Sequence, residues 1–332
     1  MSDEIPGASI PTLAQIQGPV ADRLDRVVDE FRRILVADFE GISEINEYLL
    51  QIRGKLFRPG LVLLCSEVDG GRTADAETLA AVVELIHLAT LVHDDAVDHS
   101  VLRRGMPTIN ALWSHQVSII MGDYLYSRSI SELSRLGSIE PVAILAAASN
   151  SMSVGELRQL ASCEALDFSE DDYYQLIDCK TASLISAACE LGALVGAPHL
   201  REPLKEFGYR LGMAFQIADD LLDYTASEEV IGKPSGLDLR EHKVTLPLIA
   251  AIPEFDDAER EVLEAFFDEP EPGDDDIATI VAMVERCGGL DYARAKALEF
   301  AHQAREALDG LPESASLDAL RHSIVYAVER RR

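Results

Sequence analysis

The sequence contains little lysine, little cysteine and little positive charge, and these shortages argue against several classes of protein. Its 332 residues include 58 Asp and Glu but only 29 Lys and Arg, which gives a net charge of −29. Binding to nucleic acid or to anionic lipid needs a basic surface, so this balance disfavours both. The five cysteines are scattered without a CxxC pair, which favours reduced core residues over disulfides or a zinc site.

Long apolar runs are also missing. Charged residues interrupt the apolar stretches before they reach the roughly 20 residues that a membrane span needs. The segment 1–20 lacks the basic start and apolar middle of a signal peptide. These absences predict a soluble, cytoplasmic protein with no membrane span.

Lysine is much rarer than arginine in this chain. There are six lysines against 23 arginines, so each lysine is a candidate for a specific role. Four of the six lie in motifs that are described below: Lys55, Lys180, Lys233 and Lys243.

Apolar residues recur at helical spacing along most of the chain. With 48% hydrophobic residues, the chain can bury a large core. No alternating strand pattern stands out. The spacing predicts helices over about 13–36, 44–52, 59–68, 73–97, 110–135, 141–162, 172–195 and 203–224. We therefore predict an all-α protein, with a flexible leader over 1–12 and one domain over 13–332.

A long apolar stretch runs directly into a cluster of carboxylates, Asp94, Asp95 and Asp98. In a helix, positions i and i+4 share one face, so Asp94 and Asp98 project together. Oxygen donors of this kind suit Mg²⁺, which shares its remaining positions with water and substrate phosphates. Arg103 and Arg104 follow, and their planar guanidinium groups match phosphate oxygens. A solvated acidic helix face is the alternative explanation of one such motif.

The same arrangement occurs a second time, at Asp219, Asp220 and Asp223. These residues again end an apolar helix, where the helix dipole makes carboxylates unfavourable. Divalent cations held between two facing triads would offset this cost. Two copies are therefore harder to explain as surface acidity than one.

Basic residues cluster in a loop that contains Arg53, Lys55 and Arg58. The loop precedes a helix N terminus, so it is either an anion-binding loop or a solvated basic turn. Farther along, Glu84 and His87 form a single ExxH pair, whereas a di-iron bundle would need two. His87 is then either a core histidine or a hydrogen-bond donor to a bound anion.

Two further segments supply cations. Lys180 and Thr181 lie between the two aspartate motifs in the sequence. After the second motif comes a glycine-rich loop that contains Lys233 and Lys243 and ends in Thr-Leu-Pro.

In this order, the DDxxD motifs, the GKxxRP and KT segments and the GK…K-TLP loop resemble those of the trans-prenyltransferases. This is the family of head-to-tail isoprenyl diphosphate synthases, or polyprenyl synthetases, and the resemblance covers roughly residues 53–247. It implies one large α-helical bundle of the isoprenoid synthase type with a deep central active-site cavity, usually as a homodimer.

The resemblance also implies a role for each motif. The six aspartates would hold two or three Mg²⁺ ions that bridge an allylic diphosphate. That diphosphate would be bound by Arg103, Lys180 and Lys233, with Thr181, Gln216 and Lys243 nearby. The diphosphate of isopentenyl diphosphate would be bound by Lys55, Arg58, His87 and Arg104.

Two positions depart from the family pattern. His242 stands where the family often has a glycine, immediately before the last lysine of the loop. Leu56 stands where a third basic residue is common, with Arg53 as a candidate substitute.

The implied activity is that of a Mg²⁺-dependent prenyltransferase, of the EC 2.5.1 type, which makes all-trans polyprenyl diphosphates. A dimethylallyl, geranyl, farnesyl or geranylgeranyl diphosphate would ionise, isopentenyl diphosphate would attack the cation, and a proton would leave. One alternative is a class I terpene cyclase or head-to-head synthase, which needs no separate site for isopentenyl diphosphate. Another is a non-catalytic regulatory subunit of a heteromeric synthase, which is expected to lose acidic motifs; both are complete here.

Product length is expected to depend on residues just before the first motif. In short-chain members of the family, bulky aromatics form a floor five and four residues before the first aspartate. Ala89 and Thr90 stand there in this chain, and both are small. We therefore predict an elongated tunnel and a product of C20 or longer, with Leu85 and Ile86 as later stops.

Overall fold

The computed structural model describes residues 10–51, 54–103, 105–162, 166–225 and 236–329. Several residues of the predicted site and leader lie outside these ranges. They are Arg53, Arg104, Lys233 and residues 1–9.

The amino-terminal half consists of helices and one small hairpin. The hairpin pairs β1 (Leu102–Arg103) with β2 (Met106–Pro107) in antiparallel fashion. A 3₁₀ turn, Gly18–Val20, links the first two helices. The helices are α1 Leu13–Gln17, α2 Ala21–Ile34, α3 Glu40–Gln51, α4 Phe57–Glu67, α5 Asp75–Val97, α6 Ile109–Leu112, α7 His115–Arg135 and α8 Glu140–Ser162.

In the described residues of the carboxyl-terminal half, every regular element is helical. A π-helical turn, Asp178–Ala182, joins α9 to α10. Two 3₁₀ turns, Pro198–Leu200 and Ile252–Glu254, precede and follow longer helices. The helices are α9 Glu170–Ile177, α10 Ser183–Gly196, α11 Arg201–Thr225, α12 Leu237–Arg240, α13 Leu246–Ala251, α14 Asp257–Asp268, α15 Asp274–Arg286, α16 Gly289–Glu306 and α17 Ala315–Glu329.

The all-α prediction is confirmed, and the differences lie at helix ends. The helix predicted over 110–135 is two helices, because the Ser114 hydroxyl accepts the Val117 N–H at 3.2 Å and caps α7. Helix α4 begins two residues before Pro59, which occupies the first turn, where a missing N–H breaks no bond. The two-residue strands were not predicted, since they are too short to show an alternating pattern.

Helix α5 lies at the centre of the bundle and packs against α2, α4, α7 and α10. Every residue from 79 to 86 is buried, so this part of the helix is covered on all sides. Close approach of α4 and α10 depends on glycine. A Cβ atom at Gly192 would overlap the Val62 carbonyl oxygen, and one at Gly196 would overlap that of Ser66.

Two core segments are long and apolar enough to span a membrane by length and composition alone. They are Asp75–Val97, which is α5, and the continuous helical segment Glu170–Gly196. In each, 67% of the apolar window is buried against the rest of the bundle. Their place in the core therefore accounts for their hydropathy.

Candidate active site

The carboxyl ends of α5 and α11 face one cavity of about 640 Å³. Five of the six motif aspartates line it, and three predicted cations line it with them. The aspartates are Asp94, Asp95, Asp98, Asp219 and Asp220, and the cations are Arg103, Lys180 and Lys243. Thr181 and Gln216 also line this cavity. Motifs that are far apart in the sequence thus meet in space.

In the first motif, Asp95 is buried and bound by Arg103. The hairpin turns at Gly105, whose φ of +76° is readily adopted by glycine. This turn follows Arg103, whose Nε lies 2.8 Å from Asp95 Oδ1. Burial raises the pKa of Asp95, and the Arg103 charge and hydrogen bond lower it.

Asp94 is the most perturbed aspartate of the first motif. Burial raises its pKa to about 6; the nearby Lys180 charge lowers it, and the Glu156 charge raises it. Asp98, one turn farther along, is exposed.

In the second motif, Asp220 is buried within a chain of hydrogen bonds. The Tyr173 hydroxyl donates to Asp220 Oδ2 at 2.6 Å, and Gln216 Nε2 donates to Oδ1 at 2.7 Å. The Thr181 hydroxyl in turn donates to Gln216 Oε1 at 2.7 Å. Burial raises the pKa of Asp220 well above its usual value, and the charge of Asp238 raises it further.

Asp223 has a different local role from the other motif aspartates. Its carboxylate accepts the backbone N–H groups of Leu237 at 3.1 Å and Asp238 at 2.9 Å. These are the first two residues of α12, so Asp223 caps that helix. The contact holds the end of the glycine-rich loop beside the second motif.

Asp238 is a cavity residue that sequence reasoning missed. It lines the 640 Å³ cavity, and burial together with the Asp223 charge raises its pKa to about 7. Its place in the glycine-rich loop, as one of two acidic residues among Lys233, Arg240 and Lys243, was the signal available in the sequence.

Lys180 lies in the π-helical turn, a local irregularity that often occurs at functional sites. Its Nζ is 2.7 Å from Glu156 Oε2 and 2.7 Å from Gln159 Oε1. Both partners come from α8 and were also missed by sequence reasoning. Their i, i+3 spacing places them on one helix face, which is a weak signal.

Lys243 follows α12 and also lines the 640 Å³ cavity. Its Nζ donates to Glu241 Oε2 at 2.5 Å. Burial lowers its pKa, but the Glu241 hydrogen bond and the Asp238 charge outweigh that effect and raise it.

His242, which stands where the family often has a glycine, has a backbone conformation that is typical of glycine. His242 has a φ of +54°, in the left-handed region that glycine adopts without strain. Its ring packs against Phe266 and Phe267, with centroid distances of 5.9 and 5.5 Å. This aromatic packing offsets the backbone strain, so the histidine takes the conformation that the family's glycine would allow. Leu56, the other departure, also has a positive φ, of 55°.

A second cavity, of about 540 Å³, adjoins the first. The two share Leu91, Asp94, Lys180, Thr181, Gln216 and Asp219 in their linings. In the second cavity, Arg58 Nη1 lies 3.2 Å from His87 Nε2. Phe215 lines the same cavity and stacks on Phe57 with a centroid distance of 5.7 Å. Lys55 is exposed and lines neither cavity.

The predicted length-determining residues occupy two environments. Thr90 lines the 540 Å³ cavity, and its hydroxyl donates to the His87 carbonyl oxygen at 2.8 Å. Ala89 and Ile86 are 3% and 1% exposed, and they line neither of these cavities. Their role in product length stays a prediction.

His93, which precedes the first motif, was missed by sequence reasoning. It lines the 540 Å³ cavity, and its Nε2 lies 3.1 Å from the Ile119 carbonyl oxygen of α7. A Cβ atom at Gly122 would overlap the His93 ring. Gly122 is therefore needed for α5 and α7 to pack with this imidazole between them.

The donor set fits a divalent cation whose coordination shell is completed by water or by substrate phosphates. Among the described residues, no three His, Cys, Asp or Glu side chains are close enough to cage a metal ion by themselves. Mg²⁺ usually takes one or two carboxylates and completes its shell with water and substrate phosphates, so no such cage is required. Burial is the main cause of the raised pKa values of Asp94, Asp220, Asp223 and Asp238, and neighbouring carboxylates raise them further. A bound cation would stabilise the ionised forms of these groups.

Carboxylates at the ends of two helices, together with cations in the lining of the same cavity, suit a reaction of a diphosphate ester. The fold and the site together define a helical enzyme class in which metal ions and basic residues bind a diphosphate. The chain belongs to the polyprenyl synthetase family, whose sequence model matches residues 40–284.

Individual relatives are similar over almost their whole length. An all-trans-nonaprenyl-diphosphate synthase (geranyl-diphosphate specific) of Rhodobacter capsulatus is 38% identical over 291 residues, which cover 87% of this chain and 89% of the relative. A short chain isoprenyl diphosphate synthase of Methanothermobacter thermautotrophicus is 35% identical over 317 residues, covering 93% and 97%.

A solved structure has the same fold. It is a polyprenyl synthase from Caulobacter crescentus CB15, complexed with calcium and isoprenyl diphosphate. It superposes with a TM-score of 0.91 at 33% identity, covering 98% of this chain and 100% of that one. These likenesses confirm the family and the prenyl diphosphate synthase class, and they do not favour the cyclase or the regulatory subunit.

Proposed function

We propose that the protein is a Mg²⁺-dependent polyprenyl diphosphate synthase that condenses isopentenyl diphosphate head-to-tail with an allylic diphosphate. The observation that carries this proposal is the meeting of both aspartate motifs, Arg103, Lys180 and Lys243 around one cavity. A diphosphate leaving group needs its developing charge neutralised, and this cavity has the groups to do so.

In this proposal, the larger cavity binds the allylic diphosphate. The six motif aspartates would hold two or three Mg²⁺ ions, which supply electrostatic stabilisation of the departing diphosphate when they are bound. Arg103, Lys180, Lys233 and Lys243 bind its oxygens. In the adjoining cavity, the apolar side chains are those of Leu91, Met152, Leu184 and Phe215. They reduce the access of water, which would otherwise trap the allylic cation.

The adjoining cavity supports a second diphosphate site, for isopentenyl diphosphate. Arg58 and His87 lie together there, within the cavity that also contains Asp94 and Asp219. Lys55 and Arg104 are proposed to complete the site. A cyclase has a single prenyl diphosphate substrate and would have no use for this second basic pair.

The product is proposed to be all-trans and C20 or longer. The support is the small Thr90 side chain in the lining of a 540 Å³ cavity. The relatives of this chain include both a short-chain and a nonaprenyl synthase, so membership of the family alone does not determine the product length. The allylic primer is proposed to be dimethylallyl, geranyl, farnesyl or geranylgeranyl diphosphate.

A homodimer is proposed as the assembly, in the cytoplasm and without a membrane span. Helices α7 and α8 expose apolar side chains that a second copy would cover. They include Ile119, Ile120, Val154, Leu157 and Leu160. Light scattering of the purified protein tests this assembly, and a monomeric mass at micromolar concentration contradicts it.

The activity is tested with purified protein, Mg²⁺, labelled isopentenyl diphosphate and farnesyl diphosphate, followed by sizing of the products. Labelled polyprenyl diphosphates are expected only when both substrates are present. Consumption of farnesyl diphosphate without added isopentenyl diphosphate would indicate a cyclase or a head-to-head synthase. No consumption of either substrate would favour the regulatory subunit.

A further inference from the structure

Two adjacent tyrosines of α9 make the same bond to carboxylates in different surroundings. The Tyr173 hydroxyl donates to Asp220 Oδ2 at 2.6 Å, and the Tyr174 hydroxyl donates to Glu170 Oε1 at 2.6 Å. Tyr173 is 1% exposed and lines the 640 Å³ cavity. Tyr174 packs on Phe300, and it is not in the lining of that cavity.

The bond from Tyr173 matters because Asp220 is a buried carboxyl group that must be ionised to bind a cation. Asp220 is 7% exposed, and the charges of Asp238 and Asp219 act against its ionised form. The hydrogen bonds that hold its two oxygens come from neutral groups, the Tyr173 hydroxyl and the Gln216 amide. A buried carboxylate that loses a hydrogen-bond donor still has its desolvation cost, so the loss of either bond is expected to shift the Asp220 side chain.

The network also joins two helical segments that form the site. Tyr173 precedes the π-helical turn that carries Lys180 and Thr181. Through Thr181 and Gln216, the same turn is connected to the second oxygen of Asp220. Asp220 is thus held from both ends of one short segment.

We propose that Tyr173 is a positioning residue that sets the affinity of the second aspartate motif for divalent cations, through its hydroxyl bond to Asp220. This inference rests on the proposed function for the identity of the cation. Outer-shell partners of metal-binding side chains are typically worth about 10–100-fold in metal affinity or activity. The hydroxyl of Tyr173 occupies such a position, whereas that of Tyr174 does not.

The test compares Tyr173→Phe with the matched control Tyr174→Phe in the full-length protein. Both variants remove one hydroxyl and keep the ring that packs in the core. The first measurement is the rise of the unfolding midpoint on addition of MgCl₂ without substrate. The second is the Mg²⁺ concentration that gives half-maximal condensation.

In Tyr173→Phe, the Mg²⁺ concentration needed in both measurements is expected to rise about tenfold or more. The maximal rate at saturating Mg²⁺ should fall much less, because the residues that contact the substrates are unchanged. Tyr174→Phe should stay within about twofold of the wild type in both measurements. Equal responses of the two variants, or an unchanged response of Tyr173→Phe, would overturn the proposal.

The same substitution in an Asp220→Asn background tests the route of the effect. The amide introduced by Asp220→Asn carries no charge, so loss of the Tyr173 hydroxyl leaves no buried charge without a donor. The comparison of Asp220→Asn with the double variant therefore gives a second test, which is separate from that of Tyr173→Phe as a single variant. Removing the hydroxyl is expected to leave the Mg²⁺ response of Asp220→Asn unchanged. A further tenfold loss would show that Tyr173 acts by another route and would overturn the proposal.

The proposed function and this inference fail in different ways. If the wild type does not condense isopentenyl diphosphate, the proposed function fails. The substrate-free unfolding measurement still compares Tyr173→Phe with Tyr174→Phe and decides the role of Tyr173.

Discussion

Arg103 holds Asp95 with two nitrogens, because Nε and Nη2 both lie 2.8 Å from the same oxygen, Oδ1. The pair joins the hairpin to the end of α5 at the lining of the 640 Å³ cavity. Asp95 is 5% exposed, and a buried carboxylate charge is costly unless a cation lies next to it. Arg103 therefore compensates the charge of Asp95, and in the proposed function it also binds the diphosphate.

We predict that Arg103→Lys lowers kcat/KM for the allylic diphosphate about tenfold or more. Lysine keeps the charge but not the planar fork, so it cannot bind Asp95 and a phosphate in the same way. Steady-state kinetics with each substrate varied in turn is the measurement. The KM for isopentenyl diphosphate should change less, since Arg58 and His87 are untouched; an equal rise in both would contradict the assignment.

A separate prediction concerns stability, at the buried ion cluster of Arg23. This side chain is 1% exposed, and its nitrogens lie 2.7 Å from Glu67 Oε1 and 2.7 Å from Glu77 Oε2. Arg23→Met leaves two buried carboxylates poorly compensated, which is expected to lower the free energy of unfolding by about 3–5 kcal/mol. Chemical denaturation measures this loss.

Arg26 provides the control for that prediction. It lies one turn along α2, is 55% exposed in its side chain and is 3.4 Å from Glu77 Oε1. Because water screens an exposed pair, Arg26→Met should cost less than about 1 kcal/mol. Equal losses in the two variants would contradict the importance of burial at Arg23.

The parts of the site that were predictable from sequence are those with a local signal. The spacing of Asp94 and Asp98 places them on one helix face whatever the rest of the fold does. Glu156, Tyr173 and Asp238 have at most a weak signal of this kind, because they reach the cavities through the packing of α8, α9 and α12 around them. A single polar residue in an amphipathic helix is ordinarily solvated, so its pattern does not separate it from a surface residue.

The same distinction applies to the fold. Helix positions were predictable because each apolar stripe is a local pattern. The break before α7 was not predicted, because it depends on the cap at Ser114 within a continuous helical pattern. The contact of His93 with α7 could not be predicted either, because it depends on the packing of the His93 ring of α5 against Gly122 of α7.

Thr90 and Ala89 should respond differently to the same substitution. Thr90 lines the 540 Å³ cavity, so Thr90→Phe is expected to fill it and shorten the product by at least one isoprene unit. Ala89 is 3% exposed in the packed core, so Ala89→Phe is expected to cost about 1–3 kcal/mol of stability in addition to any change in product. Product sizing and thermal unfolding are the two measurements.

Thr90→Val is the matched control for the length prediction. It keeps the volume of threonine and removes only the hydroxyl that donates to the His87 carbonyl. Its products should have the same length as those of the wild type. Shortening by Thr90→Val, or unchanged length in Thr90→Phe, would show that volume at this position does not determine product length.

Stabilisation by Mg²⁺ should depend on pH, because protons and cations compete for the same carboxylates. The pKa of Asp94 is raised from 3.8 to about 6, chiefly by burial, so the folded state binds this proton more tightly than the unfolded state. Its contribution to stability is present below about pH 4 and is lost as the pH rises through about 6. Above that pH the ionised group favours a cation instead.

We therefore expect MgCl₂ to raise the unfolding midpoint more above about pH 6, the raised pKa of Asp94, than below it. Scanning calorimetry with and without millimolar MgCl₂ at each pH measures the difference. In Asp94→Asn the group no longer titrates, so the dependence on pH should become weaker. A Mg²⁺ effect that is equal on both sides of this pH in the wild type would contradict a cation site at Asp94, since a carboxylate with a raised pKa cannot bind a proton and a divalent cation independently.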